Sequence, residues 1–519
     1  MMAASQRMPS AIGVHVGARR ATGSVTSDAR LAGNLLRMFS SGGCTRSDDN
    51  GTYVTSTLHP TGLGLSRQIL PEVMQTISAL PEVSAVLPNG ESLPPTLSLA
   101  KQISSLKRAE EIFQQFGDGA SGRGGSNVHL DAVRMLLADR LCLVGKFEET
   151  ATCIESILGM GNGGEANGID ETSFELNLAL AKAQFYSGGR ITSAAERAVD
   201  TATEVEDADT AALRQGVALN ALALSKLSCM DYANESSMPE ELANEADECR
   251  EMLSMATSVL NKPTTNGVSL NLAQSLALAQ AASSSNQGLS EVLYTSLRAK
   301  AMGYEKVPPA EHALKYWKNA LSQLEGNDNI PIADVIRSRL NSNIAMSLLG
   351  AAIPGDKTKI GEEDLKIASE NASQSLKLLD GVIERSSSVG DDTMREALRI
   401  VSGRSLNLVA DCYARGGSAV TAEGLYQSAL DLLNDEKHNN HGGPLALIES
   451  REVYNSYALL CANWEKRSRD SDTMKEKAEQ VEEQIAGCWR NKPLTYSGLW
   501  LFSVGDLQMS YSSIHNVSS

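Results

Sequence analysis

The chain is 519 residues long, 42% apolar and 21% charged, with a formal net charge of −17. That length accommodates several compact domains or one long array of repeats, and the acid excess opposes non-specific binding to nucleic acid or anionic lipid, which needs a basic surface. Aromatic residues make up only 4% and prolines thin out after the first hundred residues, a balance that favours helices over a sandwich or barrel.

Residues 1–41 carry Arg7, Arg19, Arg20, Arg30 and Arg37, no lysine and a single acid, Asp28, in a background of Ser, Ala and Gly. This is the composition of an organellar transit peptide, and the segment lacks the apolar core of ~7–15 residues that a secretory signal requires. Arg37-Met38-Phe39-Ser40 looks like the arginine-guided cleavage pattern of mitochondrial presequences, with the cut expected between Phe39 and Ser40. The expected location is mitochondrial, in the matrix. With five arginines and one acid removed, the remainder of the chain holds a charge of −21.

Residues 42–95 contain Pro60, Pro71, Pro81, Pro88, Pro94 and Pro95, which break any long helix, although Pro71 can open a short one reaching Leu80. The region reads as a partly ordered arm that either drapes over the rest of the chain or folds on a partner. Thr96 to Phe116 is the first long helix, with Leu99, Ile103, Leu106, Ile112 and Phe113 near one face, ended by a Gly-rich loop at 117–126. Helix pairs then follow: Leu130–Leu143 with Phe147–Leu158, Ser173–Tyr186 with Ile191–Ala202, and Ala211–Met230 with Glu240–Leu260. Leu270–Ala282 is a helix without an assigned partner. Leu293–Tyr304 pairs with Ala310–Leu324, Ile332–Leu349 with Glu362–Leu379, the two halves of Leu406–Leu433 with each other, and Leu445–Trp464 with Met474–Trp489. Residues 491–519, with Trp500, Leu501 and Phe502, read either as a cap over the last hairpin or as an aromatic tail that docks on a partner.

Within Leu406–Leu433, two apolar stripes flank Gly416-Gly417, and Ala410, Tyr413, Gly417, Ala422, Tyr426 and Ala429 fall at the spacings of the tetratricopeptide repeat (TPR). Leu297, Ala301, Tyr304, Ala313, Trp317 and Ala320 repeat the pattern, and Ala138, Ala183, Ala221 and Ala345 mark looser copies at irregular intervals, often wider than the 34-residue period. The chain thus resembles the TPR family over residues 96–490. The resemblance implies an all-α fold, a right-handed superhelical solenoid of helix-turn-helix repeats. It also implies a concave groove that binds an extended peptide or another protein's helix. In the family's register, Asn177, Gln184, Arg298, Arg339, Asn343, Arg404, Asn407 and Arg415 face that groove, where Arg can grip a carboxylate and Asn can pair with peptide backbone. The Lys/Asn clamp of chaperone-binding TPR modules is not reproduced, since Arg298 and Met302 stand in its place.

The chemistry of an active site is harder to find. Gly117, Gly119, Gly122 and Gly159, Gly161, Gly164 match a bare GxGxxG string, but both follow helices, whereas a dinucleotide loop must follow a strand. No GxxxxGK[ST], HExxH or GxSxG occurs, and His438 and His441 lie in a polar loop without further ligands. The cysteines, Cys44, Cys142, Cys153, Cys229, Cys249, Cys412, Cys461 and Cys488, include no CxxC pair and read as buried thiols. No run approaches the ~20 apolar residues of a membrane-spanning helix. We therefore expect a non-catalytic mitochondrial scaffold, an assembly factor or adaptor, with proteins as partners, no cofactor or metal and no nucleic acid. The alternatives are a structural subunit of a respiratory complex or of the ribosome periphery, and, further away, an RNA-binding helical-repeat protein.

Overall fold

The computed structural model describes Leu63, Leu65 and residues 69–86, 98–120, 128–159, 171–187, 189, 191–203, 207–230, 239–261, 270–303, 311–325, 331–350, 360–387, 393–433, 443–464 and 466–485. Phe39, Ser40 and the segments 1–41 and 491–519 lie outside these residues. Among the described residues the fold is all-α: 17 helices, no strand, packed neighbour to neighbour.

Two short helices, α1 (Pro71–Ser78) and α2 (Pro81–Ser84), each place proline in their first turn, where its missing N–H costs nothing. Pro81 thus opens a second helix that the proline-as-breaker reading overlooked. The helix α3 (Leu99–Ala120) runs on through Gly117 and Gly119 instead of ending at Phe116. Hairpins follow in order: α4 (Val128–Leu143) with α5 (Phe147–Ile157), α6 (Glu171–Ser187) with α7 (Ser193–Thr201), and α8 (Ala208–Cys229) with α9 (Pro239–Leu260). Then come α10 (Leu270–Ala301) with α11 (Glu311–Gln323), α12 (Pro331–Gly350) with α13 (Glu362–Ser387), α14 (Thr393–Arg415) with α15 (Ala419–Leu433), and α16 (Gly443–Ala462) with α17 (Ser468–Gln484).

Glycine sets the tightest turns. Gly417 takes φ 81° between α14 and α15, and the Gly416 and Ser418 amides donate to the Cys412 and Tyr413 carbonyls, both at 2.9 Å. Gly145 does the same between α4 and α5 at φ 76°, with the Lys146 amide on the Leu141 carbonyl at 2.9 Å. Both are left-handed helix ends that satisfy carbonyls the helix leaves open.

The hairpins form two rows. Helices α8, α10, α12, α14 and α16 each touch the preceding first helix of a hairpin, in the order α6, α8, α10, α12, α14, and α16 touches α6 as well. This inner row therefore closes into a circuit. Three of its helices hold stretches covered around the whole girth: Phe174–Tyr186, Ala281–Glu291 and Val401–Ala410 are buried without a break, whereas α16 leaves Leu459 40% exposed. The outer helices bury one stripe only, as α9 does with Ala243, Ala246, Cys249, Leu253, Ala256 and Leu260.

Ala138, Ala183, Ala221, Ala345 and Ala410 are all fully buried, as residues at a close helix–helix approach should be. Ala301 is exposed, which corrects the register assigned to its hairpin. Leu270–Ala282 and the expected helix beginning at Leu293 are parts of one 32-residue helix, α10, which ends at Ala301. The stretch SSSNQG at 283–288, which lies outside both expected helices, is helix interior whose hydroxyls and amides find partners on neighbouring helices. Trp317 of α11 lies over Gly288, where a Cβ would run into its indole, and donates to the Ser285 carbonyl at 3.0 Å. The close approach is thus at Gly288. The helix previously without a partner packs on α9 too, through Thr257 with Ser283 at 3.1 Å and Arg250 with Glu291 at 3.2 Å.

Candidate functional site at the inner helix row

The groove register selects residues on the inner row, and the structure places most of them inside it. Asn343 is fully buried, Asn407 and Arg404 are 2% and 3% exposed, and Asn177 and Gln184 are buried as well. Arg339 is half-buried, Arg298 is half-buried near the end of α10, and Arg415 is exposed. Arg298 owes its assignment to the Ala301 register corrected above.

Their partners are other parts of the chain. Arg197 of α7 donates to the Asn177 amide oxygen at 2.8 Å, and Gln184 reaches Glu155 of α5 at 3.4 Å. Successive inner helices are bridged one after another. Arg214 of α8 holds Glu175 of α6 at 2.9 Å, Asn286 of α10 donates to Asn220 of α8 at 2.8 Å, and Asn343 of α12 donates to the Ser285 hydroxyl at 3.1 Å. Between α12 and α14 the Ser342 and Ser405 hydroxyls meet at 3.4 Å, and Arg415 reaches the Leu349 carbonyl at 2.7 Å.

The densest part of this row surrounds Arg404. Its guanidinium holds Glu449 of α16 at 3.1 Å and touches the Met346 sulfur of α12 at 2.9 Å. One turn beyond Asn407, Asp411 accepts from the Tyr426 hydroxyl of α15 at 2.7 Å. Across the circuit, Arg339 of α12 is bonded to Tyr186 of α6, whose ring stacks on Phe147 at 5.1 Å. Burial raises the Glu449 carboxyl above its ordinary value, and the Arg404 guanidinium offsets part of that. Burial raises Asp411 too, against the Tyr426 hydrogen bond. For Arg339 burial lowers the guanidinium, opposed by Tyr186 and Glu449.

The circuit therefore consumes most of the groove set in its own cross-links, and an extended peptide cannot reach Asn343, Arg404 or Asn407 without opening packed helices. Glu449, Asp411, Asn220, Asn286 and Tyr186 take part in these contacts and are not among the groove candidates. An acid at a buried helix position, as at Glu449 and Asp411, is a readable signal that a cation or donor must lie opposite; the address of that partner is not.

Other chemistry is sparse among the described residues. No three His, Cys, Asp or Glu side chains gather as a metal site. The described cysteines are thiols, and burial pushes Cys153 and Cys249 up to about 12, which keeps them protonated and unreactive. A shallow depression on α11 is lined by His312, Lys315, Tyr316 and Lys318, the basic exception on an acidic outer row. No helix is long and apolar enough to cross a membrane. The chain matches no protein-family model and no curated protein.

Proposed function

We propose that the chain is a non-catalytic interaction scaffold of mitochondria, an assembly factor or adaptor built as a right-handed superhelical array of TPR-like hairpins. The observation that carries this reading is the two-row stack, with its cross-linked inner row and an outer row left open to solvent. Such a body offers partners a broad preformed surface, which lowers the ordering cost of association. The partner surface of this scaffold is its outer row. There α9 presents Glu241, Glu245, Glu248 and Glu251 on one exposed stripe, with Met255 56% exposed beside them. An acidic stripe with an apolar end fits a basic amphipathic segment of a partner protein. Two further facts support the absence of catalysis. The Glu449 and Asp411 carboxyls, both raised by burial, are engaged by Arg404 and Tyr426, and the buried thiols stay protonated. The Arg-rich, nearly acid-free segment 1–41 supports the location.

Affinity purification from isolated mitochondria, with mass spectrometry and a native gel, tests the proposal. An adaptor or assembly factor co-migrates with partial complexes, and a permanent subunit stays with a mature one. Glu245→Lys with Glu248→Lys is expected to release the partner while leaving the helical signal intact. A protein found in the cytosol, without mitochondrial partners, overturns the reading.

A further inference from the structure

The first hairpin is covered differently from the others. Asp139 of α4 follows Ala138 as Gln184 follows Ala183, so it occupies the same groove position of its repeat. It is 4% exposed. The backbone N–H of Leu65, 74 residues earlier in the chain, donates to its Oδ1 at 3.0 Å. Leu63 and Leu65 are 2% and 1% exposed and belong to the same core cluster as Met135, Ala138 and Cys142 of α4. Two leucines from the arm are thus sunk beside a buried carboxylate that reads a main-chain amide.

We propose that this face of α4 is a binding seat for a short leucine-bearing segment, filled in cis by the chain's own arm at Leu63 and Leu65. The chemistry is specific in two ways. The Leu65 N–H donates to the buried Asp139 carboxylate, so a segment with proline at the second leucine forfeits that hydrogen bond. The leucine side chains supply the apolar burial that a single hydrogen bond does not. A partner segment with leucines two residues apart competes with the arm for the seat. This inference stands apart from the outer-row reading, because it concerns the opposite side of the repeats and its test needs no partner protein.

The test uses the full chain and a fluorescent peptide copying residues 58–70. Against the wild type, whose seat is filled, the peptide is expected to bind weakly or not at all. Leu63→Ala with Leu65→Ala vacates the seat, and peptide affinity is expected to rise about tenfold or more, the ratio a well-paired charged hydrogen bond and two buried leucines support. Adding Asp139→Leu to that double variant is expected to abolish the gain. Equal peptide binding by the wild type and a folded double variant overturns the proposal, as does a gain that survives Asp139→Leu. Hydrogen exchange on the wild type reads the contact even if the double variant fails to fold. A protected Leu65 amide that loses protection in the single variant Asp139→Leu supports the seat, and an unprotected one overturns it.

Discussion

The inner and outer helix rows solve the burial problem in opposite ways. The outer helices are amphipathic in the ordinary sense: α9 hides an alanine and leucine stripe and leaves its glutamates in water. The inner helices are more deeply covered and yet carry Arg214, Asn220, Asn286, Asn343, Arg404, Asn407 and Glu449 among their buried residues. The comparison teaches that burial here does not follow apolarity. Ion pairs and amide bridges between successive inner helices let polar residues into the interior, and they tie register to chemistry more tightly than interchangeable leucines do.

Breaking one inner-row bridge should produce the largest effect. Arg404→Leu strands Glu449 at 1% exposure and is expected to cost about 3–5 kcal/mol of unfolding free energy. The double variant Arg404→Leu with Glu449→Leu should recover most of the loss, read as the denaturant midpoint. A double variant as unstable as the single would show that the two groups are not coupled. Next comes the seam between the rows. Gly288→Ala drives a Cβ into the Trp317 indole and is expected to cost about 1–3 kcal/mol, with altered tryptophan fluorescence. An unchanged melting curve would contradict the close approach assigned to Gly288.

A smaller effect concerns pH. The folded-state pKa of Asp411 is raised, so folding favours its protonated form. Its contribution is fully present below the unfolded-state value near 3.8 and is lost as pH rises through the raised folded value. Asp411→Asn, which keeps an oxygen for Tyr426, should therefore flatten the decline of melting temperature as pH rises from that acid limit towards neutrality. A decline of equal slope in both proteins would remove Asp411 as its source. The smallest effect is expected on the outside. Lys107 and Glu149 pair across α3 and α5 at 45% and 42% exposure, and Lys107→Ala should cost at most about 1 kcal/mol. A loss comparable to Arg404→Leu would erase the distinction between the rows.

The hairpins were legible wherever a local rule acts alone. Gly145 and Gly417 announce helix ends because few other residues accept their backbone conformation. The outer stripes show as apolar residues at helical spacing. The middle of α10 was not legible, because Ser283, Ser284, Ser285, Asn286 and Gly288 have the composition of a loop. What holds them in a helix lies at Thr257, Asn220, Asn343 and Trp317, far away in the chain. The candidate site divides along the same line. Repeat register singles out Asn343, Arg404 and Asn407, since position within a hairpin is local. Their enclosure depends on α16 touching α6 and on Arg339 meeting Tyr186 across the row, and no repeat pattern encodes that.

The contact between α6 and α16 also has a consequence for synthesis. Every hairpin can form soon after it leaves the ribosome, because its two helices are neighbours in sequence. The circuit closes only once residues 443–462 exist to meet residues 171–187. Until then the half-made row presents Arg339, Arg404 and their neighbours to water, without the glutamate that α16 supplies. Completion is therefore a late, long-range event, and a chain that terminates before α16 leaves its stacked hairpins as an open strip.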